Sequence, residues 1–394
     1  MRDFAQEIEQ RKLAGLYRSR RLVSGPQQPT LVADGKALLS FCSNDYLGLA
    51  NNPEIIGAMT SSLPDVGVGG AASHLVCGHH EAHHHLEQRL AMFTGRSAAL
   101  FFSTGYMANL GVISALAGRG DTVFSDRLNH ASIIDGCILS RAKVRRYPHG
   151  DVAALEAMLA ATSGHKLVVT DGVFSMDGDI APLRELARVC RCHDALLVVD
   201  DAHGLGVLGP QGRGSVAEAG LSEEEVPVLV GTLGKGIGTS GAFVAGSEVL
   251  IDYLVQKART YIYTTAMPPA LAVATCSSLD VVERDGQRRS HLEGLIRKFR
   301  AGAQALGYEL MPSRTPIQPI MIGDNWAALA LSQSLEAQGV LVTAIRPPTV
   351  PEGEARLRVT LSAGHSERDV DLLLQALAKS RPILSGGGAG KPAI

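Results

Sequence analysis

The residue best placed for chemistry is a lysine in a glycine-rich stretch. Lys235 lies within Gly231–Gly238, directly after a short apolar run that is typical of a β-strand. Because its glycine neighbours leave the backbone bare, we expect this lysine to lie beside a crevice rather than in open solvent. A partly desolvated lysine amine can form a Schiff base with a carbonyl compound. A phosphate-binding or merely solvated lysine is the alternative, and this stretch alone leaves the choice open.

An acid and two histidines follow other apolar runs. Asp200 ends the run that begins at Leu196, and His203 comes three residues later. An acid there could hold a proton on a heteroaromatic nitrogen through a charge-assisted hydrogen bond. A helix cap or a metal ligand would show the same local pattern. His130, within Asn129–Ser132, offers a second imidazole, for which a structural histidine is the alternative.

Two further segments complete this set of polar residues. Phe101–Asn109 is typical of a strand, a glycine turn and the start of a helix, whose free N–H groups favour a phosphate. Within it, Tyr106 could stack on a ring, while a plain capped helix is the alternative. Asp171–Asp179 follows another predicted strand and lacks the spacing of an EF-hand calcium loop. We interpret it as an active-site loop.

Strands and helices alternate between about residues 85 and 250, which predicts βαβ units and a mostly parallel sheet covered on both faces. Ligands of such sheets bind at the carboxyl ends of the strands, and the residues described above fall at these ends. Helices are predicted over Met107–Leu116, Val152–Ala161 and Leu183–Arg191. The predicted strands are Ala98–Phe102, Asp121–Ser125, Lys143–Tyr147, Lys166–Thr170, Ala195–Asp200, Val228–Gly231 and Ala242–Ala245.

The chain is predicted to have four parts. An N-terminal arm over residues 1–50 contains a helix over 3–20 and a hairpin that turns at Asp34-Gly35. A large domain over 51–285 carries the polar residues, and a small α/β domain covers 286–384. A glycine-rich tail over 385–394 is expected to be flexible. The small domain is predicted to contain a long helix, a strand near 318–322, a helix over 326–338, strands over 340–345 and 356–361, and a helix over 367–379.

Composition narrows the classes of function. Hydrophobic residues make up 45% of the chain, and 37 Lys and Arg against 39 Asp and Glu give a formal net charge of −2. A sizeable core is therefore possible, and no basic excess indicates a nucleic-acid partner. The chain lacks a run of about 18 apolar residues and an apolar signal-peptide core, so we expect neither a membrane span nor secretion. Six cysteines without a CxxC pair fit a reducing cytoplasm.

Two kinds of motif are weaker than they look. Gly204–Gly209 and Gly236–Gly241 both match G-x-G-x-x-G, but neither opens a helix after a strand, so we do not expect NAD. Five histidines lie between His79 and His85, where the spacing places His80 and His84 on one helix face and His79 and His83 on another. The letters of His80–His84 match H-E-x-x-H, but a motif match by itself has a high false-positive risk. We therefore favour a solvated or interface helix over a metal site, and expect no metal.

The order of the motifs S-x-G-Y, N-H-A-S, D-G-V-F-S-M-D-G-D, D-D-A-H-G and T-L-G-K-G resembles the α-oxoamine synthases. The resemblance extends from Arg18 to about Leu373. It implies an α/β fold-type I transferase with a large domain around a mostly parallel sheet and a smaller C-terminal α/β domain. The implied cofactor is pyridoxal 5'-phosphate (PLP). Within the family, Ala344–Pro351 and Ser43–Leu49 look most like the biotin-synthesis branch, which implies decarboxylative condensation of L-alanine with a pimeloyl thioester on CoA or acyl carrier protein.

The resemblance also implies roles for individual residues. Lys235 would form the Schiff base and remove the α-proton, Asp200 would pair with the ring nitrogen, and His130 would stack on the ring. The other implied cofactor contacts are His203 and Ser175 near the phenolic oxygen, with Thr232, Gly105 and Tyr106 near the phosphate. The implied substrate residues are Arg18 for the acyl group, Arg358 for the amino-acid carboxylate, and Thr349 and Asn44 in the substrate pocket. Thr264 or Thr265 would reach a neighbouring subunit's phosphate, which implies a homodimer.

Two departures and three alternatives accompany this interpretation. Ser73–Gly78 differs from the Ser-Arg-Leu-Val-Ser-Gly of many relatives, and Asp171 stands where relatives have glutamate. A sister synthase would use glycine with acetyl-CoA or succinyl-CoA, which the Ala344–Pro351 stretch argues against. An aminotransferase of the same fold would release no CO2. A non-catalytic binding protein on this scaffold would not need Lys235, Asp200 and His203 together.

Overall fold

The computed structural model describes residues 3–385 of the chain. These residues form two compact units. The first comprises the described residues up to Gly48, the short segment Met176–Gly178 and the described residues from Ser290 onward. The second comprises Leu49–Ser175 and Asp179–Arg289. Apart from Ser385, the predicted flexible tail lies outside the described residues.

The strands are short and are distributed over both units. In chain order they are β1 (Val23–Ser24), β2 (Thr30–Ala33), β3 (Lys36–Ser40), β4 (Ala98–Phe102), β5 (Thr122–Asp126), β6 (Lys143–Tyr147), β7 (Lys166–Asp171), β8 (Ala195–Asp200), β9 (Val228–Thr232), β10 (Ala242–Gly246), β11 (Ile317–Gly323), β12 (Val340–Leu341), β13 (Thr343–Ile345) and β14 (Ala355–Thr360).

The helices cover the sheets and link their strands. They are α1 (Phe4–Leu13), α2 (Pro53–Val66), α3 (Glu81–Thr94), α4 (Gly105–Leu116), α5 (Ala131–Ser140), α6 (Val152–Ala160), α7 (Leu183–Cys192), α8 (Ser215–Glu218), α9 (Glu248–Lys257), α10 (Arg259–Ile262), α11 (Pro269–Arg284), α12 (Gly286–Ala305), α13 (Asn325–Ala337), α14 (Glu367–Ser380) and α15 (Pro382–Ser385). A π-helical turn covers His74–Gly78 and a 3-10 turn covers Pro210–Gly212.

The second unit is built around a seven-stranded sheet of order β4-β10-β9-β8-β7-β5-β6. Neighbouring strands from β9 to β6 pair in parallel, whereas β10 is antiparallel to both β9 and β4. The predicted strands and the mostly parallel sheet are therefore confirmed. Because β10 is antiparallel to both of its neighbours, β4 and β9 point the same way. Their carboxyl ends therefore lie at one edge of the sheet, together with those of β5, β7 and β8.

Both faces of this sheet are covered, and the middle residues of its central strands β7 and β8 are apolar and buried. Val169 and Val198 pack in a core that includes residues of α4 and α5. Their neighbours Val168 and Val199 point to the opposite face and pack with residues of α6 and α7. This alternation follows from the two-residue period of a strand. It leaves the strand ends as the place where polar side chains can reach solvent or a ligand.

The first unit contains two smaller sheets, β1-β2-β3-β12 and β11-β14-β13. The predicted hairpin is confirmed, with β2 antiparallel to β3. The predicted single strand over 340–345 is wrong. The chain changes sheets at the buried Val342, because β12 pairs with β3 while β13 pairs with β14.

The N-terminal helix is shorter than the predicted 3–20. It begins after Asp3, whose side chain accepts hydrogen bonds from the N–H groups of Ala5 and Gln6, and it ends at Leu13. Gly15 has a φ of 65°, a left-handed conformation that stops the helix. Across residues 3–385, no helix combines the length and the apolar character needed to cross a membrane.

Candidate active site

The polar residues predicted from the sequence lie at one edge of the seven-stranded sheet. Asp171, at the end of β7, is the register partner of Asp200 at the end of β8, and Asp200 pairs with Val230 in β9. His130 and Lys235 follow the ends of β5 and β9. The common strand direction thus brings together residues that are far apart in the chain.

Lys235 lies on a tight turn beyond β9. Its Nζ is 2.9 Å from Nε2 of His203, which is buried. A lysine ammonium can only donate, so a charged Lys235 needs the lone pair on this Nε2, and the ring proton of His203 then lies on Nδ1. Gly238 N–H closes the turn by donating to the Lys235 carbonyl over 2.8 Å. Lys235 is half-buried beside this histidine, and its position at a crevice stays a prediction.

Glycines hold the loops after β8 and β9 against each other. A Cβ on Gly236 would collide with the carbonyl oxygen of Leu205. Gly206, at a φ of +83°, would place a Cβ 2.9 Å from the carbonyl carbon of Gly236. The two G-x-G-x-x-G matches thus have a packing explanation, since these glycines let two backbones approach closely.

Asp200 is buried and held by an amide from another helix. Its Oδ2 accepts from Nδ2 of Asn109 over 2.6 Å, and its Oδ1 accepts from the Ala202 N–H over 3.0 Å. Asn109 Nδ2 also lies 2.9 Å from Ser132 Oγ, which links α4 to α5. The carboxylate therefore has a fixed orientation at the end of β8.

His130 is anchored by its backbone, which leaves its ring at the crevice. Its N–H donates to Oδ2 of the buried Asp171 over 2.7 Å, and its Nδ1 lies 2.8 Å from Ser132 Oγ. The residue is partly exposed to solvent. The protein around its ring still removes enough water to lower its pKa, and the positive charge of Lys235 acts in the same direction. Asp200 opposes this shift. The imidazole therefore favours its neutral form.

Asp171 and Asp200 form a pair of neighbouring acids. Burial and the negative charge of Asp200 raise the pKa of Asp171 well above its ordinary value. Two adjacent carboxylates do not both keep a negative charge easily. The raised pKa therefore favours the protonated form of Asp171 beside Asp200.

The start of α4 meets the end of β9. Thr104 caps the helix by accepting from the Met107 N–H over 3.1 Å. The N–H groups of Gly105 and Tyr106 lie in the first turn, where a helix provides no partner for them. A Cβ on Gly105 would meet only the Cβ of Thr232, at 4.0 Å. This leaves a cradle of N–H groups and a hydroxyl, which suits a phosphate.

Tyr106 contacts His130 and Asp135, and its stacking on a ligand ring stays a prediction. Its ring lies edge-on to His130, with centroids 6.3 Å apart and planes at 77°, and its hydroxyl donates to Asp135. Ser175 is half-buried in the loop after β7, and its role stays a prediction.

The donor set fits PLP. A reactive amine, a buried carboxylate, an imidazole and a helix N-terminus are the groups that an aldehyde, a pyridine nitrogen, a ring face and a phosphate require. Among residues 3–385, Asn109 Oδ1 is a buried polar atom without a hydrogen-bond partner.

The four predicted substrate residues lie in the first unit, where they form two pairs. Arg18 Nη2 lies 3.4 Å from Thr349 Oγ1. Both residues line a cavity of about 450 Å³ together with Arg346. Arg358 donates to Asn44 Oδ1 from both Nη1 and Nη2 over 3.2 Å. The structure thus joins residues that are more than 300 positions apart in the sequence.

Sequence reasoning missed two supporting residues. No role was predicted for Asn109. An asparagine in the largely apolar helix Gly105–Leu116 nevertheless indicates a polar contact, because a buried amide needs hydrogen-bond partners. Asn129 was named only within its motif. Its Nδ2 donates to Val169 O over 2.8 Å, and its Oδ1 accepts from the Asp171 N–H over 2.9 Å. It therefore fastens the His130 loop to β7.

The histidine cluster also differs from expectation. His79 precedes α3, and His80 caps that helix by accepting from the Ala82 N–H. His83 is fully buried, and its Nε2 lies 2.8 Å from the Met267 carbonyl. A solvated helix face is therefore wrong for His83, because its ring is a hydrogen-bonded part of the interior.

Comparison with known proteins extends over the whole chain. Residues 36–377 match the family described as aminotransferase class I and II. An 8-amino-7-oxononanoate synthase of Marinobacter nauticus is 81% identical over 394 residues, which cover 100% of both chains. One of Pseudomonas putida is 60% identical over 387 residues, covering 98% of this chain and 99% of the relative.

Solved structures share the fold. A serine palmitoyltransferase variant from S. paucimobilis with a bound PLP–myriocin aldimine has a TM-score of 0.92 at 32% identity, covering 98% of this chain and 100% of that chain. An 8-amino-7-oxononanoate synthase of Francisella tularensis has a TM-score of 0.77 at 32% identity, covering 88% and 98% of the two chains.

Proposed function

The chain belongs to the 8-amino-7-oxononanoate synthases, PLP-dependent transferases of biotin biosynthesis, and on this premise we propose how its residues divide the work. The family reaction condenses L-alanine with a pimeloyl thioester and releases CO2 and the free thiol. The observation that carries the proposal is the 2.9 Å contact of Lys235 Nζ with His203, at the sheet edge where Asp200 ends β8.

Lys235 is proposed as both the attachment point of the cofactor and the base. When bound, PLP supplies an electron sink next to the α-carbon of the amino acid. Nζ of Lys235 takes the α-proton of alanine and later returns a proton. His203 Nε2 accepts a hydrogen bond from the protonated amine, so it stabilises the lysine while Nζ carries that proton.

Asp200 is proposed to hold a proton on the ring nitrogen. Asn109 donates to its Oδ2, which favours the anionic form and fixes the direction of the carboxylate. The raised pKa of Asp171 is consistent with a neutral neighbour beside Asp200. A neutral His130 is suited to lie against the ring face, and we propose Ser175 and His203 as neighbours of the phenolic oxygen.

The phosphate is proposed to bind at the start of α4. Gly105 and Tyr106 offer backbone N–H groups there, and Thr232 offers a hydroxyl. The positive end of the helix dipole favours the same negative charge. We propose no metal in this centre.

The substrate acids are proposed to bind to the arginines of the first unit. Arg358 would pair with the carboxylate of alanine, helped by Asn44, because its guanidinium is almost fully buried and already faces an acceptor. Arg18 and Thr349 would hold the acyl substrate. Both pimeloyl-CoA and a pimeloyl acyl carrier protein fit this assignment.

We extend the proposal to a cytoplasmic homodimer. The six cysteines all lie among residues 3–385, and all are free, as expected in a reducing compartment. Thr265 forms an antiparallel bridge with Ser73. We propose that Thr264 or Thr265 serves the phosphate of a second subunit. From the family membership we also propose the division of the chain into an arm, a large domain and a small domain.

A product assay tests the function. The PLP-loaded protein is incubated with carboxyl-labelled L-alanine and a panel of acyl thioesters, including pimeloyl-CoA and pimeloyl acyl carrier protein. We expect 8-amino-7-oxononanoate by mass spectrometry, together with labelled CO2. A product formed from glycine but not from alanine, or an amino-group transfer without CO2, would overturn the proposal.

A further inference from the structure

A second group of polar side chains lies in the second unit and has no role in the chemistry above. His74 opens the π-helical turn, His79 follows that turn, and His84 and Glu87 lie on α3. His79, His84 and Glu87 each offer one ligand atom, and the three atoms lie within 4.8 Å of one another. Imidazole nitrogens and a carboxylate oxygen are ligands that zinc accepts.

One separation within this set is close to what a metal needs. His79 Nε2 lies 3.9 Å from Glu87 Oε2. Two ligand atoms in a tetrahedral zinc site are about 3.3 Å apart, given bonds of about 2.0 Å. A side-chain adjustment of about half an ångström would therefore close this pair around an ion.

A neighbouring histidine sets the orientation of His79. The Nδ1 atoms of His74 and His79 are 2.9 Å apart, so one ring donates and the other accepts. The His74 ring is fixed by stacking on Tyr261, with centroids 4.9 Å apart. With Nδ1 of His74 as the acceptor, Nδ1 of His79 carries the ring proton. His79 then keeps its Nε2 lone pair, which is how metal-bound histidines are usually held.

Glu87 is held in place but carries little compensation for its charge. Its Oε1 accepts from the Phe101 N–H over 2.9 Å, while its Oε2 is the atom that faces His79. A bound cation would compensate the charge of this carboxylate.

Two neighbours limit the ligand set. His83 is committed on both nitrogens, since Nδ1 accepts from the His80 N–H and Nε2 faces the Met267 carbonyl. The Gln88 amide lies 3.1 Å from His84 Nε2, an exposed contact that a metal would displace. Three protein ligands therefore remain, and water would fill the rest of the coordination sphere.

We propose that His79, His84 and Glu87 bind one divalent transition-metal ion, with Zn²⁺ as the probe ion, and that His74 orients His79. The nitrogen-rich ligand set favours zinc, cobalt or nickel over magnesium and calcium, which prefer oxygen ligands. The site does not depend on the proposed catalytic residues.

Equilibrium dialysis of the PLP-loaded, untagged protein against ZnCl2, with zinc measured by mass spectrometry, tests the site. We expect one zinc per chain in the wild type. The variants His79→Ala and His84→Ala should bind zinc at least tenfold more weakly, and His74→Phe about 10- to 100-fold more weakly. His85→Ala is the matched control, because His85 is exposed on the same helix and lies outside the ligand set.

Either of two results would overturn the site. The first is a wild-type protein that takes up no zinc. The second is wild-type affinity in both His79→Ala and His84→Ala. His84 is exposed, so its substitution should preserve the fold, and unchanged thermal unfolding without zinc verifies this.

Discussion

Two acid–histidine clusters lie at the same edge of the seven-stranded sheet, and they differ in how many ring nitrogens are already committed. Asp126 ends β5, and His149 follows the end of β6. Nδ1 of His149 lies 3.1 Å from Asp126 Oδ1, and its Nε2 lies 2.8 Å from Asp179 Oδ2. These two carboxylates raise the pKa of His149 to about 10. Around β8, His130 has a lowered pKa and His203 faces Lys235.

The comparison shows that residue type and strand position do not decide which histidine can do chemistry. His149 is a fixed cation between two carboxylates, and it neither gives up nor accepts a proton near neutral pH. The imidazole of His130 is neutral and keeps one edge for a ligand. What separates the clusters is the number of carboxylates that contact the ring, which is a property of tertiary structure.

The group around β8, which comprises His130, Asp200, His203 and Lys235, is the reactive cluster. Its strongest test is Lys235→Ala. We expect no covalent attachment of PLP, and turnover reduced by at least about 1,000-fold, since base and attachment point are lost together. Attachment is measured by mass spectrometry after borohydride reduction, and turnover by product formation. Wild-type turnover in this variant would show that the reactive cluster is misassigned.

The next test exchanges the charge of Asp200 for an amide. Asp200→Asn keeps the size of the side chain, while a neutral group can no longer stabilise a protonated ring nitrogen. We expect kcat to fall about 100- to 1,000-fold, with unfolding unchanged within about 1 kcal/mol. Steady-state kinetics and urea unfolding of the same preparation measure both. A rate near that of the wild type would remove Asp200 from the proposal.

The structural cluster, which comprises His149, Asp126 and Asp179, should respond in the opposite way. His149→Gln should lower the free energy of unfolding by about 1–2 kcal/mol at pH 6 and leave kcat unchanged, because a partly exposed ion pair is lost away from Lys235. The folded pKa of His149 is raised, so its stabilisation is complete below the unfolded pKa of about 6.5 and declines above it. It should be absent above about pH 10.

Urea unfolding of wild type and His149→Gln across this pH range measures the effect. The stability difference between the two proteins should narrow as the pH rises. A difference that widens with pH, or a large loss of kcat, would contradict the assignment of His149 as a structural cation.

The smallest effect is expected for Asp171→Asn. Its pKa is already raised, so replacing the acid with an amide changes little charge, and the amide oxygen can still accept from the His130 N–H. We expect kcat to change by less than about tenfold. A loss as large as that of Asp200→Asn would mean that the two acids share the catalytic charge.

Much of this arrangement could be predicted from the sequence. Apolar runs of five or six residues located the central strands, and the polar residues after them located the site edge, because parallel strands end together. The β12–β13 break could not be predicted, since Val340–Ile345 is apolar apart from Thr343 and only pairing with two different sheets divides it. The roles of Asn109 and Asp171 also depend on partners that are distant in the chain.

The histidine-rich segment shows a further limit of prediction. Helical spacing grouped His79 with His83, and their ring centroids do lie 6.1 Å apart. His79 nevertheless lies before the helix, and its Nδ1 contacts His74, which the spacing did not predict. Contacts across a turn of irregular backbone have no period that a sequence could display.

The backbone contact between Gly206 and Gly236 has a consequence for engineering this enzyme. Lys235 is adjacent to a position where even one methyl group would push two loops apart, so the reach of its amine is fixed by missing atoms rather than by bulky supports. Attempts to retune the substrate range should therefore leave the glycines around the lysine untouched. Changes belong instead at the cavity lined by Arg18 and Thr349, where we propose that the acyl substrate binds and where side chains rather than bare main chain form the walls.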